Sequence, residues 1–325
     1  MKVLLTGASG FLGSHTARVL REAGHEVRAL VRRSSKTEHL EPLGVELAYA
    51  VLERGEGLAA ALDGVDAVVH GAAITKGKTE QDFLDVNEGG TRHLLEAAVT
   101  AAPGLSRFVF VSSLEVVGPS PDGRPLPEDA VPQPITRYGR SKLAAEETVR
   151  SFADKLPVVT VRPTAIYGPR DTEILELFKV AKLGIVPMLG KPTTKVTVIH
   201  GEDCARAILA VLLGDPPSGR VYHLSDGEIY DWAGIADAVA GAFGGKGRRL
   251  AVPKPLLKAR ALAFETWGRL RDQAVMETRE KVEVLTSHQV CTPERLQREL
   301  GWEARIPLAK GIRETADWYR AHGWI

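Results

Sequence analysis

Asparagine is almost missing from this chain: one residue, Asn87, in 325. Cysteine is nearly as scarce. Cys204 and Cys291 stand far apart, which argues against a disulfide scaffold and points to a reducing compartment. No Cys/His cluster has the spacing of metal ligands, so no metal is expected. No stretch approaches the ~18 uninterrupted apolar residues of a membrane span. A formal net charge of +1 gives no electrostatic reason to expect nucleic acid or an acidic surface as partner. The N-terminus enters a strand at once, with no basic-then-apolar leader, so the expected location is the cytoplasm. Internal repeats and low-complexity tracts are absent as well.

What is present is apolar material, 44% of residues against 26% charged, enough for one large core or two smaller ones. Through the first half, short apolar runs alternate with helical patterns. Lys2–Thr6, Glu26–Val31, Val45–Ala50, Asp66–His70, Arg107–Ser112 and Pro157–Arg162 are rich in Val or Leu, as buried parallel strands are. Between them lie helix-length segments such as Phe11–Ala23, Gln81–Ala101 and Arg137–Lys155. This alternation predicts right-handed crossovers and an α/β fold with a Rossmann-type, doubly wound parallel sheet. The proline-rich stretch Gly118–Pro134 reads as a loop. Beyond Arg162 the pattern is irregular; Val196–Ile199 and Val221–Leu224 are expected to rejoin the sheet.

Directly after Val3-Leu4-Leu5 comes Thr6-Gly7-Ala8-Ser9-Gly10-Phe11-Leu12-Gly13. A strand that ends in a glycine-rich turn and feeds a helix presents free N–H groups at the positive end of a helix dipole. That arrangement suits a pyrophosphate. Gly7 and Gly10 let the backbone turn and approach the phosphate, and Gly13 lets the helix pack on the strand. The second strand ends in Arg32-Arg33-Ser34-Ser35, with no acid to bond a ribose 2′-hydroxyl. Two guanidinium groups suit a 2′-phosphate, so NADP(H) is expected ahead of NAD(H).

Tyr138-Gly139-Arg140-Ser141-Lys142 places a phenol and an ammonium four residues apart, on one helix face. An adjacent ammonium should favour the phenolate; with a cationic nicotinamide also nearby, a drop of about 3 units, ~4 kcal/mol, would make Tyr138 a usable base. Ser113 ends the fifth predicted strand, where α/β sheets bind ligands, and its hydroxyl is placed to polarise the same substrate oxygen. The expected division is a dinucleotide-binding part, residues 1–167 plus 194–225, and a smaller mixed α/β substrate-binding part, 168–193 plus 226–325.

These elements, in this order, resemble the extended short-chain dehydrogenase/reductase family over nearly the whole chain. Thr6–Gly13 is similar to its T-G-x-x-G-x-x-G, and His70-Gly71-Ala72-Ala73 to its H-x-A-A. Asn87 falls on its structural asparagine, and Ser113, Tyr138 and Lys142 on its catalytic triad. Arg162-Pro163-Thr164-Ala165-Ile166-Tyr167-Gly168-Pro169 resembles the segment that passes the nicotinamide, and Glu299-Leu300-Gly301-Trp302 the entry to the C-terminal helix. The resemblance implies catalytic roles for Ser113, Tyr138 and Lys142, with Asn87 supporting the site through its backbone. It implies cofactor contacts from Gly7, Ser9, Gly10, Phe11, Leu12, Gly13, Arg32, Arg33, Ala72, Tyr138, Lys142, Pro163 and Thr164, and a homodimer through helices of the sheet domain. Ser112 to Pro119 looks closest to the 3β-hydroxysteroid dehydrogenase branch, which implies an apolar secondary alcohol or ketone as substrate. Three departures stand out. Ala50-Val51-Leu52-Glu53 lacks the usual G-D-L acid; Leu114 replaces the dehydratase Asp; and the region after Gly168 lacks patterns for gripping a nucleotide sugar.

The rivals are a nucleotide-sugar epimerase with tightly held NAD and a non-catalytic dinucleotide sensor, which would have no need of the triad. Glu115 reads as structural, His200 as closing a strand, Asp203 as the N-cap of Cys204–Leu213, and both cysteines as packing residues. Leu257, Ala261, Phe264 and Trp267 recur at helical steps among Lys258, Arg260, Arg269 and Arg271. A helix packing on the core is the preferred reading; a lipid-facing lid is the sharper alternative.

Overall fold

A computed structural model of the protein describes residues 1–245, 247–275 and 278–325. Runs such as Val3-Leu4-Leu5, Ala67-Val68-Val69 and Phe108-Val109-Phe110 are apolar on both faces and are wholly buried. They form strands β1 (Lys2–Thr6), β2 (Glu26–Val31), β3 (Glu46–Tyr49), β4 (Ala67–His70), β5 (Arg107–Val111) and β6 (Val158–Pro163). Short strands follow: β7 (Ala165–Tyr167), β8 (Ile185–Leu189), β9 (Lys195–Val196), β10 (Val198–His200), β11 (Arg220–Leu224), β12 (Tyr230–Asp231) and β13 (Arg248–Val252). Seven make one parallel sheet in the order β11-β6-β5-β4-β1-β2-β3, the doubly wound order with one strand added beside β6.

Alternate side chains feed two cores. Helices α1 (Phe11–Glu22), α2 (Leu58–Leu62), α3 (Glu80–Phe83), α4 (Gly90–Ala101) and α5 (Arg137–Ser151) fill the crossovers between strands. After them come α6 (Leu175–Lys182), α7 (Gly201–Leu213), α8 (Trp232–Gly241), α9 (Lys254–Arg271), α10 (Arg279–Leu285), α11 (Glu294–Leu300) and α12 (Leu308–Ala321). Val3, Leu5, Val69 and Val109 pack toward α1 and α7; Leu4, Val68, Phe108 and Phe110 pack toward α2, α4 and α5. A third cluster, with Phe178, Val186, Val239, Ile312 and Tyr319, joins α6, α8 and α12. No described helix is long and apolar enough to cross a membrane.

Three expectations need correction. Val221–Leu224 lies in the main sheet, but Val196–Ile199 does not rejoin it. Val196 pairs with β12, and Val198–His200 pairs with β7 outside the sheet, because β11 already occupies the edge beside β6. Gln81–Ala101 is not one regular helix: residues Leu84–Gly89 form a π-helical turn between α3 and α4. Asp203 does not cap α7, which begins at Gly201 behind His200. The His200 ring accepts from the Glu202 N–H, and Asp203 instead holds the N–H groups of Arg305 and Ile306.

One buried ion pair ties the active edge of the sheet together. Arg162 on β6 and Glu146 on α5 meet through two bonds of 2.8 and 2.6 Å, and Arg162 also donates to the Glu128 carbonyl in the proline-rich loop. Both side chains are nearly inaccessible. Glu146→Ala leaves a guanidinium unpaired in the core, so it should cost about 3–5 kcal/mol in urea unfolding. A loss below about 1 kcal/mol would mean that water reaches the pair.

Candidate active site

β1 ends at Thr6 and the chain turns at Gly7, which has φ +75°. A Cβ there would sit 2.8 Å from backbone atoms of Gly71 and Ala72, and a Cβ on Gly13 would overlap the Gly7 carbonyl. Both positions therefore need glycine. Gly10 starts α1 without a side-chain cap, and the first turn carries no acid. The N–H groups of Phe11, Leu12 and Gly13 are left free at the positive end of the helix. This cradle fits a dinucleotide pyrophosphate.

Behind the loop runs a continuous chain of buried polar groups. The Thr6 hydroxyl accepts from the Ala72 N–H (3.0 Å) and donates to His70 Nδ1 (2.7 Å). His70 Nε2 donates to Thr91 (2.8 Å), whose hydroxyl donates to the Asn87 carbonyl (2.6 Å). Only the tautomer protonated on Nε2 satisfies every member. Burial and the Lys142 charge push His70 down to about 3, so the ring stays neutral. The Asn87 side chain accepts from the Ile74 N–H and donates to the Ile74 carbonyl and the Ser141 hydroxyl. Asn87 thus reaches α5 through its amide, whereas a backbone role was expected.

The structure brings Ser113, Tyr138 and Lys142 together. Thr136 caps α5 by accepting from the Gly139 N–H, and donates to Glu115 at 2.6 Å. That fixes the helix start beside the turn carrying Ser113. The Ser113 hydroxyl accepts from the Glu115 N–H and lies near enough to the Tyr138 phenol to lower its pKa slightly. Lys142 is buried, donates to the Val111 carbonyl at 2.7 Å and stands 4.2 Å from the Phe110 ring centroid. Burial lowers its pKa to about 7, against the opposing pull of Glu146. Burial raises the Tyr138 pKa, Glu115 and Glu173 raise it further, and only the Ser113 hydroxyl opposes them. Glu115 is itself pushed up by burial.

The other expected cofactor residues are placed as follows. Ser9 and Gly10 lie on the open side of the loop, and Pro163 ends β6. The Thr164 hydroxyl is taken up by Thr197, at 2.7 Å to its carbonyl and 2.9 Å to its hydroxyl, and its N–H donates to the Leu224 carbonyl at 3.0 Å. Arg33 stacks on Tyr49, and Arg32 pairs with Glu53 at 3.6 Å. An acid thus reaches the end of β2 from beyond the third strand, where none was expected from the second. Sequence reasoning missed Thr91, although it lies one helical turn after Asn87. It also missed Arg170, at φ +77°, whose buried Nε has no partner among the described residues. Burial, with the Arg170 charge, lowers the pKa of His39, whose Nε2 has no partner among the described residues.

The model of the NAD-dependent epimerase/dehydratase family matches residues 3–225. A ceramide reductase of Caulobacter vibrioides is 34% identical over 99% of this chain and 96% of its own. The sterol demethylase protein B of Methylococcus capsulatus is 30% identical over the full length of both chains. Among solved structures, gox2253 superposes with a TM-score of 0.82 at 29% identity, covering 99% of both chains.

Lys142 gives stability a defined pH dependence. Its pKa is about 7 in the folded protein and ordinarily 10.5. Unfolding takes up a proton between these values, so its contribution is complete above 10.5 and is lost as pH falls toward 7. The wild-type stability minus that of Lys142→Met should rise by up to about 1.4 kcal/mol per pH unit across this window. A difference that stays flat in urea titrations at each pH would refute the buried, easily deprotonated lysine.

Proposed function

The chain belongs to the NAD-dependent epimerase/dehydratase family and is an enzyme of the extended short-chain dehydrogenase/reductase type; on that premise we propose that it works as a reductase of apolar ketones. The observation that carries this reading is the placement of the Tyr138 phenol beside Ser113, one helical turn from the buried Lys142, where burial pushes the phenol further toward its protonated form. A phenol held protonated is a proton donor, which is what a carbonyl oxygen needs as it becomes an alcohol. A bound reduced nicotinamide supplies the hydride. Ser113 orients the carbonyl oxygen, Tyr138 Oη passes its proton to that oxygen, and Lys142 steadies the phenolate that remains. Asn87 and Thr136 position the helix that carries the last two. In the division we propose, residues 1–167 plus 194–225 hold the dinucleotide and 168–193 plus 226–325 cover the substrate. An apolar substrate is supported by relatives named for a ceramide and a sterol.

Tyr138→Phe should lower turnover by about two to four orders of magnitude while cofactor binding is retained. Near-normal turnover would end the assignment. Stoichiometric NAD released on denaturing the purified protein would favour the epimerase instead.

We further propose NADP(H) as the preferred cofactor, with Arg33 as the principal phosphate-holding residue because Glu53 shares Arg32. Arg33→Ala should raise the KM for NADPH roughly tenfold and leave that for NADH almost unchanged. An equal effect on both cofactors would remove the 2′-phosphate contact.

A further inference from the structure

Helix α9 carries a solvent face that does not suit solvent. Among the described residues, five of the fourteen exposed large apolar side chains lie on it: Leu256, Leu262, Phe264, Trp267 and Leu270. At about 100° per residue, Leu256, Ala263, Trp267 and Leu270 fall within one narrow stripe. The buried residues Leu257, Ala261, Glu265 and Gly268 occupy the opposite side. The expected packing helix is therefore only half right: Leu257 and Ala261 pack inward, while Phe264 and Trp267 face out. Arg271 borders the stripe on one side, and Arg269 stands beyond Leu262 on the other, while Lys258 is taken up by Glu283. The helix has one acid, Glu265, and it is buried against Arg279 at 2.9 Å.

The location ties this face to the site. Lys254 and Lys258 pair with Glu283 on α10. That helix also carries Glu280, which accepts from the Arg137 N–H next to Tyr138, and Lys281, which pairs with Glu173. At its other end α9 is followed by Asp272, paired with Lys78 in the loop after β4. The helix is thus linked, through α10 and through Asp272, to the start of the helix that carries Tyr138.

We propose that the outward face of α9 docks on an anionic lipid bilayer and so brings the site to membrane-resident substrate. The apolar stripe enters the acyl boundary, Trp267 sits at the interface, and the flanking cations meet lipid phosphates. Charge decides against a second copy of the chain as occupant. A twofold interface would set this cationic rim against itself. The proposal rests on the apolar-substrate reading for its purpose, while the surface itself is tested without it.

The experiment is co-sedimentation of the full chain with vesicles of equal parts phosphatidylglycerol and phosphatidylcholine, and with phosphatidylcholine alone. Binding is expected to the anionic vesicles at low salt and to fall with salt. Trp267→Glu combined with Leu270→Glu should weaken it at least roughly tenfold with unchanged Tm, since both side chains are exposed. Arg269→Glu with Arg271→Glu should do the same. No sedimentation at low salt, or sedimentation that ignores both double variants, overturns the proposal. So does a dimer in gel filtration that Trp267→Glu with Leu270→Glu splits while vesicle binding stays. Vesicle binding through α9 in a protein that reduces no ketone would keep the surface and remove the catalytic reading. Reduction of a small soluble ketone without vesicle binding would do the reverse.

Discussion

The bond between the Thr6 hydroxyl and His70 Nδ1 is the contact on which the site depends. It joins the ends of neighbouring strands β1 and β4, whose register sets Thr6 directly against His70. A histidine buried between Phe108, Phe110 and Lys142 must have both nitrogens satisfied or carry a heavy desolvation cost. The solution fixes one tautomer and, through it, the direction of every hydroxyl in the row. The phosphate loop is held at one end by Ala72, the π-helical turn at the other by Thr91, and Asn87 carries the chain on to Ser141 in the catalytic helix. The glycine loop and the helix that carries Tyr138 and Lys142 are therefore linked by one polar network in an otherwise apolar sheet.

The electrostatics of the site follow from burial more than from pairs of opposite charge. Tyr138 and Glu115 are pushed toward their protonated forms and Lys142 toward its neutral one. A pocket that disfavours charge suits an apolar ketone and a neutral acid that gives up its proton only as the substrate oxygen becomes negative. The carboxylates that raise the phenol come from different segments, Glu115 beside Ser113 and Glu173 in the loop after β7. A loop outside the sheet thereby acts on the Tyr138 phenol.

The second half of the chain is built around that task. Asp171 gives its carbonyl to Tyr319 of α12 and its side chain to the Glu173 N–H, which anchors the loop carrying Glu173. Asp203, wholly buried, holds the entry to α12 through Arg305 and Ile306. Around these anchors the helices α6, α8 and α12 share a core of their own, and α9 and α10 lie outside it.

The sequence by itself determined the sheet, the glycine loop and the candidate triad of Ser113, Tyr138 and Lys142. Each depends on local rules: apolar runs too short for anything but buried strands, glycines where only glycine fits, and four-residue spacing on a helix. Asn87 was legible too, as the chain's single asparagine. What its amide holds was not, because Ile74 and Ser141 are distant in sequence and meet only when β4 and α5 pack. Burial, with Glu115 and Glu173 from two segments distant in sequence, pushes Tyr138 toward its protonated form, which helical spacing alone does not show. Tertiary structure placed Glu53 against Arg32, kept Val196–Ile199 out of the sheet and turned Trp267 outward. Helical spacing gives a residue its face, but only the neighbouring elements decide whether that face is covered.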